Sequence, residues 1–138
     1  MSNPANPGPD NANLADAMPL ARLLGVAVSR AGPQEIIGTL HVREDLCTAG
    51  DGVHGGTVMA FADSLAAIGA FLNLPEGATG TTTIESKTNF VGRAASGITL
   101  TGISTPVARG KRLSVWQTRI ETDQERLVAL VTQTQLVL

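Results

Sequence analysis

The sequence predicts an α+β domain in which a curved antiparallel sheet of about five to six strands wraps one long central helix. Three observations carry this prediction. Thr57 to Leu74, TVMAFADSLAAIGAFLNL, is the longest apolar segment, and its Ala, Leu and Met content suits a helix. Segments enriched in Thr, Val and Ile flank it, two before and four after. Short turns join the last four, so these are expected to pair as a meander. A helix that is apolar around most of its circumference must be covered on most sides, and a sheet curled around it is the economical cover. Such a sheet keeps free edges, and pairing with a second copy through strands would satisfy them.

In chain order, Met1 to Asn13 is rich in Asn, Pro, Ala and Gly and has little to bury. Residues 1–15 are expected to form a disordered tail, and 16–138 a single domain. The order DAMPLARLL predicts a short helix from Asp16 to Leu24, with Asp16 as N-cap, Pro19 in the first turn and Gly25 as the stop. Val26 to Ala31 and Glu35 to Arg43 read as strands around a Gly32-Pro33 turn. Glu44 to Gly56 is a glycine-rich loop. The helix that follows, about 16 residues, makes a rod of roughly 24 Å, and Pro75 with Gly77 ends it. The later strands are Thr79 to Val91, Gly97 to Val107, Leu113 to Thr122 and Leu127 to Leu138.

Composition excludes several functions. Among 138 residues, 10 Lys and Arg stand against 12 Asp and Glu, a net charge of −2, and the basic residues form no long run. Nucleic-acid binding by phosphate neutralisation is not expected. No apolar stretch approaches the roughly 18 to 20 residues of a bilayer span. The start, MSNPANPGPD, lacks the basic and apolar regions of a secretory signal, and Cys47 is the only cysteine. Together these predict a cytoplasmic domain. His41, His54 and Cys47 show no metal-ligand spacing, so no metal is expected.

Asp63 is the only charged side chain between Thr57 and Leu74. Met59, Ala60, Ala66 and Ala67 lie one turn away and Ala70 two, so no polar stripe exists to solvate it. An unpaired buried carboxylate costs several kcal/mol. It therefore needs a donor, a watery cleft or a raised pKa. Two readings follow: a catalytic base or nucleophile lining a pocket, or a structural Asp bonded to the backbone of a neighbouring strand. Upstream, Val53-His54-Gly55-Gly56 enters the helix, where unpaired N–H groups at the positive dipole end suit a developing oxyanion. Asp63 stands nine residues after His54. At about 100° per residue the two point to opposite sides. If they cooperate, a two-fold partner supplies one of them.

VHGGTVMAFAD, then GTTTIESKTNF and the turn ARGKRL, resembles the hotdog-fold acyl-CoA thioesterases, in particular the PaaI-like branch. The resemblance spans about Leu20 to Leu138. It implies the hotdog fold, homodimers that often pair into tetramers, and hydrolysis of an acyl-CoA thioester with no cofactor beyond the coenzyme A of the substrate. It assigns Gly55 as the N–H donor to the thioester carbonyl, His54 beside that carbonyl, and Asp63 of the other subunit as base or nucleophile. Thr48 occupies the position, six before the His, where relatives carry Asn or Gln. Gly56 and the helix residues Ser64 and Ala67 join the substrate-binding set. Ala67 lacks the hydroxyl some hydroxybenzoyl-CoA relatives use there. Arg109, Gly110, Lys111 and Arg112, with Arg93, would meet coenzyme A phosphates, although a solvated turn is the other reading of that hairpin.

On the strand after the helix, alternation groups Ile84, Ser86, Thr88 and Phe90 on one face and Thr83, Glu85, Lys87 and Asn89 on the other. Thr88 and Asn89, beside the Asn-Phe end of the strand, complete the expected substrate contacts. Trp116 is expected in the core or an interface. Two other functions remain open: a non-catalytic acyl-CoA-binding module of the same fold, and a hotdog hydratase or dehydratase. The residue pattern of the second is not found here.

Overall fold

A computed structural model describes residues 13–138. A 3-10 turn, Leu14–Ala17, leads to helix α1, Pro19–Leu24. Strands β1, Ala27–Gly32, and β2, Glu35–His41, precede the long helix α2, Gly55–Leu72. Strands β3, Thr81–Phe90, β4, Thr99–Arg109, β5, Leu113–Glu121, and β6, Leu127–Val137, follow. All six strands form one sheet in the order β1-β2-β4-β5-β6-β3, with every neighbouring pair antiparallel. The sheet curls around α2, which touches every one of its strands. This is the hotdog architecture.

Most of the expected tail lies outside the described residues, but Asn13 and Ala15 are tied into the domain. Ala15 is fully buried. The Asn13 amide donates to Val26 O at 2.8 Å and its oxygen accepts from Val28 N at 2.9 Å. The expected helix from Asp16 divides for the same reason. Asn13, not Asp16, caps the first turn, and Pro19 starts a separate helix after extended Met18. Gly25 ends it at φ 84, a left-handed conformation that suits glycine.

The expected four-strand meander is three strands long. β4, β5 and β6 are joined by turns, while β3 pairs with β6 at the sheet edge and β2 takes its place beside β4. The cause is the connection 91–98, which is a strap rather than a turn. Its start bonds Val128 O through the N–H groups of Val91 and Gly92, and its end exchanges bonds with Val42. Eight extended residues reach about 26 Å, ample for the roughly 14 Å between β3 and β4.

The core is the contact between sheet and helix. Phe61 and Leu65 of α2 are fully buried against Ile36, Leu40, Leu100, Ile120 and Val131. Each such side chain contributes about 1.5–3 kcal/mol. Trp116, expected in core or interface, is fully buried with Ala66 and Ala70. Its ring lies on Gly69, where an added Cβ would sit 2.5 Å from Cζ3. Burial also corrects the expectation about membrane spans. Over 18 residues α2 has a hydropathy of 1.5, enough by length and composition to cross a bilayer. Ten of those residues are buried in the domain, which makes it the core helix.

Candidate active site

The site begins in the loop before α2. Positive φ at Gly50 and Asp51 turns the chain back, and Thr48 N donates to Gly52 O at 2.8 Å. His54 N donates to Leu46 O at 2.9 Å, and the buried Thr57 hydroxyl donates to the same oxygen at 3.1 Å. His54 is thereby fixed as the N-cap of α2, and its Nδ1 accepts from Gly56 N at 2.8 Å. In a neutral ring the proton then sits on Nε2. Thr57 and Val58 N–H both donate to His54 O. Gly55 N–H remains without a partner among the described residues. It lies at the positive end of the helix dipole.

Gly55 lines a cleft of about 370 Å³ with Thr48, Gly50, Val58, Phe90, Arg93 and Val128. The Phe90 ring lies across Gly55, its Cζ 3.1 Å from where a Cβ would stand. Arg93 is drawn over the loop by a hydrogen bond from its guanidinium to Gly50 O. The cleft therefore has an apolar floor, a hydroxyl, a cation at its rim and one unspent amide donor.

Asp63 lies two turns further along α2. Met59, Ala60, Asp63 and Ala67 are its half-buried residues on one arc, the face the sheet covers least. The Asp63 Oδ1 accepts from the Thr83 hydroxyl at 2.6 Å and from Gln133 Nε2 at 2.8 Å. Oδ2 has no partner among the described residues. The bonds are to side chains, not to strand backbone as the structural alternative supposed. The open arc sits beside β3, the edge strand, where Ile84 and Phe90 are exposed.

At the other end of α2, Arg109 donates to Asn73 Oδ1 at 3.1 Å, to Pro33 O at 3.3 Å and to Gln34 Oε1 at 3.4 Å. It braces the β1–β2 turn against the helix C-terminus, where the dipole favours a cation. Lys111 and Arg112 are exposed around Gly110 in the β4–β5 turn.

The family profile described as the Thioesterase superfamily matches residues 50–129. A Mycobacterium tuberculosis protein named as a candidate esterase is 32% identical over 126 residues, covering 89% of each chain. The chain belongs to the thioesterase superfamily. The structure of that mycobacterial protein has a TM-score of 0.83 with this one at 30% identity, covering 88% of this chain and 97% of that one. A Haemophilus influenzae thioesterase superposes with a TM-score of 0.84 at 26% identity, over 94% of this chain and 89% of the other. The PaaI protein of Escherichia coli shares the fold with a TM-score of 0.82 at 20% identity, over 89% and 86%. The hotdog thioesterase resemblance read from the motifs holds, the fold is shared with PaaI proteins, and the family and its relatives are hydrolases by name.

Within one chain of this thioesterase-superfamily member, the expected site residues fall into three groups. Thr48, Gly55 and Arg93 share the cleft. Asp63 and Ala67 lie on the open face of α2. Arg109, Gly110, Lys111 and Arg112 sit at the opposite helix end from Arg93, so within one chain the two basic groups are apart. His54 and Asp63 share no partner, in keeping with the half-turn offset. Gly56 N–H is spent on His54. Ser64 is buried and its hydroxyl donates to Ala60 O at 2.7 Å, which removes it from the surface.

β3 required a further correction. Register shifts between Thr83 and Glu85, a bulge that turns Ile84 outward and Thr83 inward. Thr83 therefore joins Ser86 and Thr88 on the helix-facing side, and Ile84 leaves it. Asn89 is exposed on the outer side. Sequence reasoning missed Thr83, Gln133 and Gln135. The signal available was two glutamines at alternate positions on the core face of β6, where Ala129 and Val131 precede them. Buried amides need partners.

Proposed function

We propose that the protein hydrolyses an acyl-CoA thioester in a cleft shared by two copies of the chain. The observation that carries this reading is the unspent Gly55 N–H, opening on a cleft that the same chain's Asp63 does not line. A two-fold partner joined along β3 would bring its own open α2 face, and its Asp63, to that cleft. The exposed Ile84 and Phe90 of the edge strand would be covered in the same step.

The thioester carbonyl oxygen then lies against Gly55 N–H, with His54 beside it and the Thr48 hydroxyl within the cleft. As charge builds on that oxygen, the helix dipole and the amide stabilise it. The partner's Asp63 removes a proton from water, whose oxygen bonds the acyl carbon, or attacks that carbon directly and is freed by water afterwards. The C–S bond breaks, the leaving sulfur takes the proton that Asp63 drew from water, or one from solvent where Asp63 attacks directly, and coenzyme A thiol and the acid are released. Lys111 and Arg112 are offered to the coenzyme A phosphates, with Arg93 at the cleft rim, and Thr88 to the acyl group. No cofactor enters the reaction beyond the coenzyme A of the substrate. We place this activity in the cytoplasm, in a dimer that pairs further into a tetramer.

The test is a panel of short, long and aromatic acyl-CoAs assayed for free thiol. Turnover of at least one, lost in Asp63→Asn, is expected. Tight binding of acyl-CoA with no thiol released from any would instead make the protein a binding module.

A further inference from the structure

From Gln135 and Gln133 the hydrogen bonds run toward Asp63. The Thr81 hydroxyl lies between Leu136 O at 3.0 Å and Gln135 Oε1 at 3.2 Å, and Gln135 Nε2 donates to Thr83 Oγ1 at 2.6 Å. The Thr83 hydroxyl, its lone pair so engaged, donates to Asp63 Oδ1 at 2.6 Å. Gln133 Nε2 reaches the same oxygen at 2.8 Å. Two strands thus converge on one carboxylate oxygen and leave the other unbound among the described residues. We propose that Thr83 and Gln133, with Gln135 acting through Thr83, are positioning residues that hold Asp63 by Oδ1 and present Oδ2 to the reacting atoms. This rests on the reading of Asp63 as the reacting carboxylate.

Three features favour positioning over incidental packing. Gln133 is 1% exposed, and its Oε1 is buried without a partner among the described residues. Turned over, the amide would set that oxygen against the carboxylate, so holding Asp63 fixes its orientation and leaves Oε1 unsatisfied. Next, the β3 bulge brings Thr83 to the inner face, where unbroken alternation would have placed Ile84. Finally, the acid's hydrogen-bond donors among the described residues, Thr83 and Gln133, are both neutral. Asp63 is the only charge on α2, β6 has none, and Glu85 and Lys87 of β3 face away. A carboxylate with no counter-ion is aimed by hydrogen bonds alone.

The experiment measures kcat and KM for whichever of acetyl-, octanoyl- and benzoyl-CoA turns over fastest. Thr83→Val keeps the shape and β preference but removes the donor. It is expected to lower kcat by about tenfold to a hundredfold with KM changed less than about twofold. Thr83→Ser should restore kcat to within about threefold of the parent. Gln135→Leu, which does not touch Asp63, should cost about threefold to tenfold, and nothing more once Thr83 is already valine. On an Asp63→Asn background neither change should alter the residual rate, and circular dichroism should show every variant folded. Should Thr83→Val prove unfolded, Gln135→Leu and Thr83→Ser carry the test by the same kcat readout.

A Thr83→Val enzyme with undiminished kcat, beside an inactive Asp63→Asn, would overturn the positioning role and leave the active-site reading standing. Equal losses in the presence and absence of the Asp63 carboxylate would overturn it too, because the residue would then act on the fold. Full activity in Asp63→Asn, or no turnover of any of the three substrates, would remove the active-site reading and the inference with it.

Discussion

The two ends of α2 carry similar sequence features, glycines beside a polar turn, and finish in opposite states. At the N-terminal end His54 satisfies one amide, its carbonyl two more, and Gly55 N–H is left over a cleft. At the C-terminal end Asn73 donates to Gly69 O at 2.8 Å and to Pro33 O at 3.0 Å, and Arg109 closes over both. One terminus is sealed by side chains and the other is kept open. The difference teaches that a motif identifies a terminus, while the count of satisfied donors identifies a site.

The open half is the one whose chemistry mutation should destroy. Asp63→Asn is expected to cut thioester hydrolysis by about a thousandfold with the fold retained, since the acid is lost but its hydrogen-bonding shape is kept. Thiol release and circular dichroism together check it. Gly55→Pro fits the backbone, although the Phe90 ring must yield slightly to its Cβ. Gly55 is the first helical residue, where proline is tolerated, and His54 at φ −67 and ψ 135 suits the position before one. It removes the amide donor and should lower kcat by about a hundredfold. Because the cleft and the acid are assigned to different copies, mixing these two inactive chains should recover up to about a quarter of parental activity. Failure of any mixture to regain activity, with exchange of subunits shown by mass spectrometry, would argue that each chain carries a whole site.

The sealed half should respond in stability instead. Gly69→Ala drives a methyl into the Trp116 ring and should cost about 1–3 kcal/mol in denaturant unfolding with kcat little changed. Smallest is Arg109→Ala, expected to lower Tm by about 2–5 °C without raising KM. A large rise in KM would return Arg109 to the substrate and undo the contrast between the ends.

Much of this was legible from residues alone. The apolar run with a single carboxylate predicted the central helix, and Pro19, Gly25, Pro75 and Gly77 bounded the helices because backbone restraint is a local property. The half-turn between His54 and Asp63 predicted that the two share no partner within one chain, because helical rotation is fixed by spacing. What failed was non-local. The strap at 91–98 looked like a turn, since pairing of β3 with β6 depends on partners far along the chain. The bulge at Ile84 reversed half a strand, and alternation cannot foresee an extra residue. Arg109 read as a free cation because its acceptors, Pro33 and Asn73, belong to distant segments.

The β3–β6 pairing also bears on how the site comes into being. Thr83 lies on β3 and Gln133 on the final strand, β6, so Asp63 gains both donors only when the C-terminal strand docks. In chain order the helix and its acid precede both donors, so the carboxylate is held only after β6 has paired with β3. Holding of the Asp63 carboxylate is therefore a late folding event, and amide exchange along β6 should report it.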